Sequence, residues 1–194
     1  MSLAPWRSPL SRAIHRNRSQ PHSRYLQLAT VTKEGHPANR TVVFRGFLAN
    51  SNQLQIVTDA RSEKIVQIEH QRWGEACWYF TKTREQFRLA GKLTLVRADY
   101  PDKVLQEARQ AAWQKLSDSA RLQFAWPDPG QPRAEGTEAF SPLLTAVKEP
   151  LLNFCLLLLN PEKVDHLQLQ GEPQNRWLYS LDQSQTWLTQ PVNP

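Results

Sequence analysis

Three short segments between residues 39 and 91 decide the fold of this chain: RTVVFR at 40–45, TDARSEK at 58–64 and REQFRLAG at 84–91. The first is rich in β-branched residues, which predicts a strand. The second follows a predicted strand and begins a predicted helix, with Ser62 at the N-cap position. The third predicts another strand, with Gln86 and Arg88 on one face. The order is therefore strand, helix start, strand.

The helix start in the second segment predicts a site for a phosphorylated cofactor. Arg61 and Lys64 flank Ser62, and the first turn of a helix offers free backbone N–H groups and a partial positive charge. Both features suit an anionic phosphate. On the residues alone, two plainer interpretations stay open: an ordinary N-capped surface helix at 63–71, and two solvated arginines at the ends of the 40–45 strand.

The same segments resemble the pyridoxamine 5'-phosphate oxidase-like family of FMN-binding split β-barrels, most closely its oxidase-related branch in cyanobacteria and plants. RTVVFR matches the family's Arg-x-Val-Leu-Leu-Lys strand, VTDARSEK at 57–64 matches Tyr-Thr-Asn-x-x-Ser-Arg-Lys, and EQFRLAG at 85–91 matches Arg-Gln-Val-Arg-x-x-Gly. A fourth match is NRWLY at 175–179, followed by Trp187 and Pro191. The resemblance covers residues 24–191 and implies an FMN-dependent oxidoreductase that works as a homodimer, with FMN at the subunit interface.

The resemblance also implies a set of cofactor-binding residues. Lys64 matches the family's lysine, whereas Glu63 stands where the family has arginine, and Arg61 is a candidate substitute. Because Arg40 and Arg45 are five residues apart, a regular strand points them to opposite faces. In agreement with this, the resemblance implies that Arg40 contacts FMN and that Arg45 reaches toward the substrate. The whole implied set is Arg40, Thr41, Val42, Val43, Arg45, Val57, Thr58, Arg61, Ser62, Lys64, Gln86, Arg88, Gln131 and Arg176.

The positions that match the family's substrate site differ more strongly. The family's Arg-x-His, which holds the pyridoxine phosphate, is replaced by Glu172 and Gln174. The family also binds the substrate phosphate with a Tyr, an Arg and a Ser on a helix. These positions fall near Trp113, Ser117 and Arg121, which do not reproduce that set. We therefore expect a retained cofactor site, an altered substrate site, and poor oxidation of the pyridoxine and pyridoxamine phosphates. The catalytic residues stay unknown.

Composition predicts one domain over residues 1–194, with an N-terminal helical arm at 1–22 and a long proline-rich loop at 127–150. No apolar run approaches the ~20 residues of a membrane span. The N-terminus lacks the apolar core of a signal peptide, so we expect a cytoplasmic protein. Cys77 and Cys155 lie in apolar strand-like runs, which predicts buried free thiols.

The alternation of short strands with a few helices predicts an α+β fold that is mainly β, a split β-barrel with peripheral helices. We expect one helix at 8–18 with Ser8 as its N-cap. The other predicted helices are 63–71, 101–116 and 119–124, and the predicted strands are 25–32, 41–47, 54–58, 76–80, 86–96, 152–159, 163–169, 177–181 and 186–188.

Two other functions fit parts of the sequence. The net charge of +6 and the seven tryptophans permit a module for single-stranded nucleic acid, although the charge is spread and most tryptophans lie in apolar segments. An FMN carrier or sensor without turnover is the other alternative. The five histidines show no metal-binding spacing and no Ser/His/Asp arrangement.

Overall fold

A computed structural model describes residues 3–142 and 149–194 of the chain, and its centre is an eight-stranded antiparallel sheet. The strands follow the order β3-β2-β1-β4-β5-β6-β7-β8, and a further pairing of β3 with β6 closes the first six into a barrel. The strands β7 and β8 extend the sheet beyond the closed barrel. The bounds are β1 Tyr25–Val31, β2 Pro37–Phe47, β3 Leu54–Asp59, β4 Trp73–Phe80, β5 Glu85–Val96, β6 Phe154–Gln168, β7 Asn175–Leu181 and β8 Trp187–Val192.

The barrel forms because its strands alternate between buried and exposed side chains. In β5 the side chains of Phe87, Leu89 and Leu93 are buried, while Arg88 and Lys92 between them are exposed. Side chains of a strand point to alternate faces, so the apolar set fills the barrel interior. The predicted mainly β split barrel is confirmed.

For the longest strand, β6, the sequence predicts two strands, 152–159 and 163–169, separated at Asn160 and Pro161. The structure shows one strand of 15 residues that passes through this dipeptide. The register against β5 shifts between Ala90 and Gly91, and this bulge accommodates the proline, which has no N–H to donate. A Cβ on Gly91 would lie 2.0 Å from the carbonyl oxygen of Asn160, so only glycine fits at this crossing.

The described residues include four α-helices, which lie around the barrel: α1 Arg7–Arg16, α2 Glu63–His70, α3 Lys103–Gln114 and α4 Asp118–Leu122. The prediction of Ser8 as the N-cap of α1 is wrong, because that position belongs to Trp6. The indole of Trp6 is fully buried and fixes the start of the helix, while the Ser8 hydroxyl accepts a hydrogen bond from Arg12. The α3 helix packs Ala112 and Trp113 into a second apolar cluster with Phe154.

The proline-rich loop predicted at 127–150 contains a short 3-10 helix at Glu138–Phe140. Residues 143–148 of this loop, and residues 1 and 2 of the predicted N-terminal arm, lie outside the described part of the chain. The two cysteines are free thiols; Cys155 is buried, as predicted, whereas Cys77 is partly exposed. Burial raises the pKa of the Cys155 thiol to about 11. Over the described residues, no helix has the length and apolar character needed to cross a membrane.

Candidate functional site

A cavity of about 600 Å³ lies beside the barrel, in the size range of small-molecule sites. Its walls come from β2, β3, the start of α2, the region around α4, and the segment that follows residue 123. Predicted residues that line it are Arg40, Thr41, Val42, Val43, Arg45, Val57, Thr58, Arg61, Lys64 and Gln131. The structure thus brings ten of the predicted residues to one cavity, and Ser62 contacts it through Thr58 and Lys64.

Lys64, in the first turn of α2, is a partly buried cation without an acidic partner. Its Nζ donates hydrogen bonds to Thr58 Oγ1 at 3.0 Å and to Ser62 Oγ at 2.9 Å. Across the described residues, no carboxylate lies within ion-pair distance of it. Burial, and secondarily the charge of Arg40, lowers the pKa of Lys64. The ammonium group therefore lacks the counter-charge that a buried cation requires.

Ser62 occupies the N-cap position of α2, as predicted, but its hydroxyl does not cap the helix. The Oγ donates to the carbonyl oxygen of Asp59 at 2.7 Å and accepts from Lys64. The side chain therefore orients the lysine, and the first backbone N–H groups of α2 keep no side-chain cap. An uncapped helix start next to a cation favours an anion.

Arg40 belongs to a hydrogen-bonded network at one end of the barrel. Its Nη1 donates to the carbonyl oxygens of Leu28 and Ala38 and to Thr30 Oγ1, and its Nη2 donates to Gln67 Oε1 at 2.8 Å. The Gln67 amide in turn donates to Glu63 Oε1 at 2.8 Å. Burial lowers the pKa of Arg40, and the charge of Glu63 opposes that shift. Glu63, which departs from the family pattern, thus partly balances an internal arginine.

Arg45 lies near the other end of β2 and makes no hydrogen bond or ion pair within the described residues. Partial desolvation, followed by the nearby charge of Arg24, lowers its pKa. Along the strand, Arg40 shares the side of the buried Val42 and Phe44, and regular alternation would place Arg45 on the other side, but the register against β3 shifts between Phe44 and Gly46, so that Arg45 lies at an irregularity of the strand. Both line the one cavity, so the predicted opposite strand faces do not separate the two guanidinium groups into different sites.

Arg61 is neutralised by two aspartates. It forms an ion pair with Asp59 at 2.7 Å and another with Asp128 at 2.7 Å. The hydrogen bond to Asp59 raises the pKa of Arg61 most, and partial burial opposes it. The sequence did not identify Asp128, because its approach to Arg61 depends on the path of a loop far along the chain. Other lining residues that the sequence did not indicate include Asp59, Leu116, Ala120, Phe124, Trp126 and Phe140.

Three predicted residues lie away from this cavity, on the outward face of the sheet. Gln86 pairs in register with Leu167, and Leu167 pairs with Arg176. Arg176 grips Asp165 with two hydrogen bonds of 3.0 and 2.7 Å, and Arg88 pairs with Glu75 at 2.7 Å. Within one copy of the chain, these side chains do not join the residues around Lys64.

The residues that match the family's substrate grip have structural roles. Trp113 is fully buried in the second apolar cluster. The Arg121 guanidinium donates to the carbonyl oxygens of Trp113 and Gln114 at the end of α3, and pairs with Asp118. Ser117 is the N-cap of α4, where its hydroxyl accepts from Ala120 N.

Comparison with known proteins agrees with this architecture. The family profile described as "Pyridoxamine 5'-phosphate oxidase, FMN-binding domain" matches residues 3–97. A protein of Arabidopsis thaliana named pyridoxine/pyridoxamine 5'-phosphate oxidase 2 is 41% identical over 196 residues, which cover 99% of this chain and 98% of the relative. A crystal structure from Nostoc punctiforme, described as a pyridoxamine 5'-phosphate oxidase-related, FMN-binding protein, shares 58% identity over 100% of both chains, with a TM-score of 0.96.

A more distant structure is similar in fold alone. PhzG from Burkholderia lata, solved in complex with tetrahydrophenazine-1-carboxylic acid, has a TM-score of 0.80 at 16% identity and covers 96% of this chain and 91% of its own. The Arabidopsis and Nostoc proteins match the chain along its whole length, and the profile names the cofactor. The chain therefore belongs to the FMN-binding pyridoxamine 5'-phosphate oxidase family, and its cofactor is FMN.

Proposed function

We propose that the chain is an FMN-dependent oxidoreductase that works as a homodimer and has an altered substrate site. The observation that carries the proposal is Lys64, a partly buried cation at a helix start, hydrogen-bonded only to hydroxyl groups inside a cavity of about 600 Å³. The terminal phosphate of FMN would supply the negative charge that Lys64 lacks. The residues present therefore fit the cofactor.

Lys64, Ser62, Thr58 and the first turn of α2 would hold the phosphate. Val43 and Val57 offer apolar surface along the same cavity, and the Gln131 amide offers polar groups. When bound, FMN supplies the hydride and electron transfer for which protein side chains have no chemistry of their own. The side chains bind, orient and shield the reacting partners from water.

The dimer is proposed because part of the implied site is missing from the cavity of one copy. Gln86 and Arg176 lie in one row on the outward face of β5, β6 and β7. Tyr79 and Leu178 on the same face are 42% and 38% exposed, which is apolar surface that a second copy can cover. In the dimer, the partner would bring its Gln86 and Arg176 to the flavin.

The altered substrate site rests on three observations. The Trp113 ring is inside the core, the Arg121 guanidinium is held by the carbonyl oxygens of Trp113 and Gln114 and by Asp118, and the acidic Glu172 stands where the family has a basic phosphate-binding residue. Oxidation of a vitamer phosphate needs the dianion held at a fixed distance from the flavin. A misplacement of ~1 Å can cost on the order of 100-fold in rate.

A second candidate function is oxidation of the vitamer phosphates themselves, favoured by the name of the Arabidopsis relative at 41% identity. Turnover of pyridoxine and pyridoxamine 5'-phosphates by FMN-saturated protein decides between the two, with an established oxidase as control. We expect a kcat/KM at least about 100-fold below the control. A value within about tenfold of the control would support the second function and reject the altered site.

A further inference from the structure

The guanidinium of Arg61 uses every one of its hydrogen-bond donors on the protein itself. Arginine has five N–H donors. Here Nε donates to Asp59 Oδ1 at 3.0 Å, and Nη2 donates to Asp59 Oδ2 at 2.7 Å and to Phe124 O at 3.4 Å. Nη1 donates to Asp128 Oδ1 at 2.7 Å and to Trp126 O at 2.9 Å. No donor is left for a ligand.

The charges around Arg61 also argue against phosphate binding there. Asp59 and Asp128 both form ion pairs with this one arginine, so the group of three carries a net negative charge. A phosphate dianion is attracted by Lys64, which has no such partners, and repelled by the two carboxylates. Arg61 therefore has a different role from Lys64, although the two are three residues apart.

The acceptors of Arg61 come from two parts of the chain that form different walls of the cavity. Asp59 ends β3, close in sequence to Ser62 and to Lys64 in the first turn of α2. The other acceptors lie in the segment 124–128, which lines the cavity through Phe124, Trp126 and Asp128. The Arg61 side chain thus connects the end of β3, near Lys64, to the segment 124–128.

Asn153 makes a second connection between the segment 124–128 and the turn after β3. Its Nδ2 donates to Phe124 O at 3.1 Å, and its carbonyl oxygen accepts from Ala60 N at 2.7 Å. Phe124 O therefore accepts from both Asn153 and Arg61. Among the residues that the structure describes, Arg61 and Asp128 form the only ion pair between the segment 124–128 and the turn that follows β3.

We infer that Arg61 is a positioning residue: it fixes the segment 124–128 as a wall of the cofactor cavity and does not bind the cofactor phosphate. The inference rests on the proposed function, because it takes the cavity to be the FMN site. A lysine at position 61 keeps the charge but cannot reach the two carboxylates and two carbonyl oxygens together.

The test compares Arg61→Lys with wild-type protein loaded with FMN or with riboflavin, which lacks the phosphate. Flavin dissociation is followed by the recovery of flavin fluorescence after dilution. We expect Arg61→Lys to raise the dissociation rate of FMN about tenfold, corresponding to loss of one charged hydrogen bond, and that of riboflavin by the same factor. Asp128→Asn should give part of the effect, and the double variant should be less than additive.

Arg97→Lys is the matched control, since Arg97 also pairs with a carboxylate, that of Glu69, but lies outside the cavity. It should change neither rate. Trypsin cleavage after Arg133 in flavin-free protein gives an independent measure of the wall, and Arg61→Lys should accelerate it. Faster release of FMN with riboflavin unchanged would overturn the inference, and so would unchanged release and cleavage in Arg61→Lys. A wild-type protein that binds neither flavin would reject the proposed function, while cleavage would still decide whether Arg61 holds the wall.

Discussion

Replacing Lys64 by alanine should weaken FMN binding strongly and riboflavin binding hardly at all. In the structure the ammonium group donates to only two hydroxyl oxygens, at 3.0 and 2.9 Å, so its charge and its third donor remain for a ligand. A hydrogen bond to a charged group contributes roughly 1.5–3 kcal/mol. The expected loss of FMN affinity is therefore roughly 10- to 150-fold in Kd.

The assay is a titration of each flavin followed by quenching of its fluorescence. Lys92→Ala is the control, because Lys92 is an exposed lysine paired with Glu162 at 3.1 Å, away from the cavity. It should leave both affinities unchanged. Equal losses for FMN and riboflavin in Lys64→Ala would refute the reasoning, because they would show that the phosphate is not held by Lys64.

The remaining predictions concern the assembly and the effect of pH. Light scattering of the FMN-loaded protein should give twice the chain mass of 22.4 kDa, and a mass near 22.4 kDa would reject the shared site. Gln86→Ala or Arg176→Ala should lower FMN affinity while leaving the dimer mass unchanged; dissociation into monomers would instead make these residues structural. Because burial lowers the pKa of Lys64, FMN affinity should fall as pH rises, starting below the ordinary lysine value of 10.5, and riboflavin affinity should stay flat. Between the lowered pKa of Lys64 and 10.5, the unfolded chain binds more protons than the folded one. The free energy of unfolding of flavin-free protein should therefore rise with pH in this range, and a fall would contradict the assignment of Lys64 as a buried cation.

The sequence predicted the barrel well because its strands are marked by local patterns. The β-branched run of β2 and the apolar alternation in β5 are properties of neighbouring residues, and the predicted bounds differ from the observed ones by a few residues at most strand ends. From the sequence alone, Asn160 and Pro161 predict a break between two strands. The tolerance of Pro161 depends on a bulge opposite Gly91, which is a property of the partner strand and is not visible locally.

The candidate site was predictable where motif and local geometry coincide, as at Lys64 and Ser62 on the first turn of α2. The partners of Arg61 were not predictable, since Asp128 is 67 residues away and reaches it through an irregular loop. The same holds for Arg121, whose place near the family's phosphate-binding positions follows from the sequence, but whose hydrogen bonds to the carbonyl oxygens of α3 do not. Residue type alone does not show whether an arginine is already paired.

The most direct test of the account is a crystal structure of the protein with FMN bound. The account predicts the phosphate at Lys64, Ser62 and the first turn of α2, with Arg61 still paired to Asp59 and Asp128. It also predicts that Gln86 and Arg176 of the partner subunit lie against the flavin ring. A phosphate bound to Arg61, or a flavin held wholly within one copy of the chain, would contradict it.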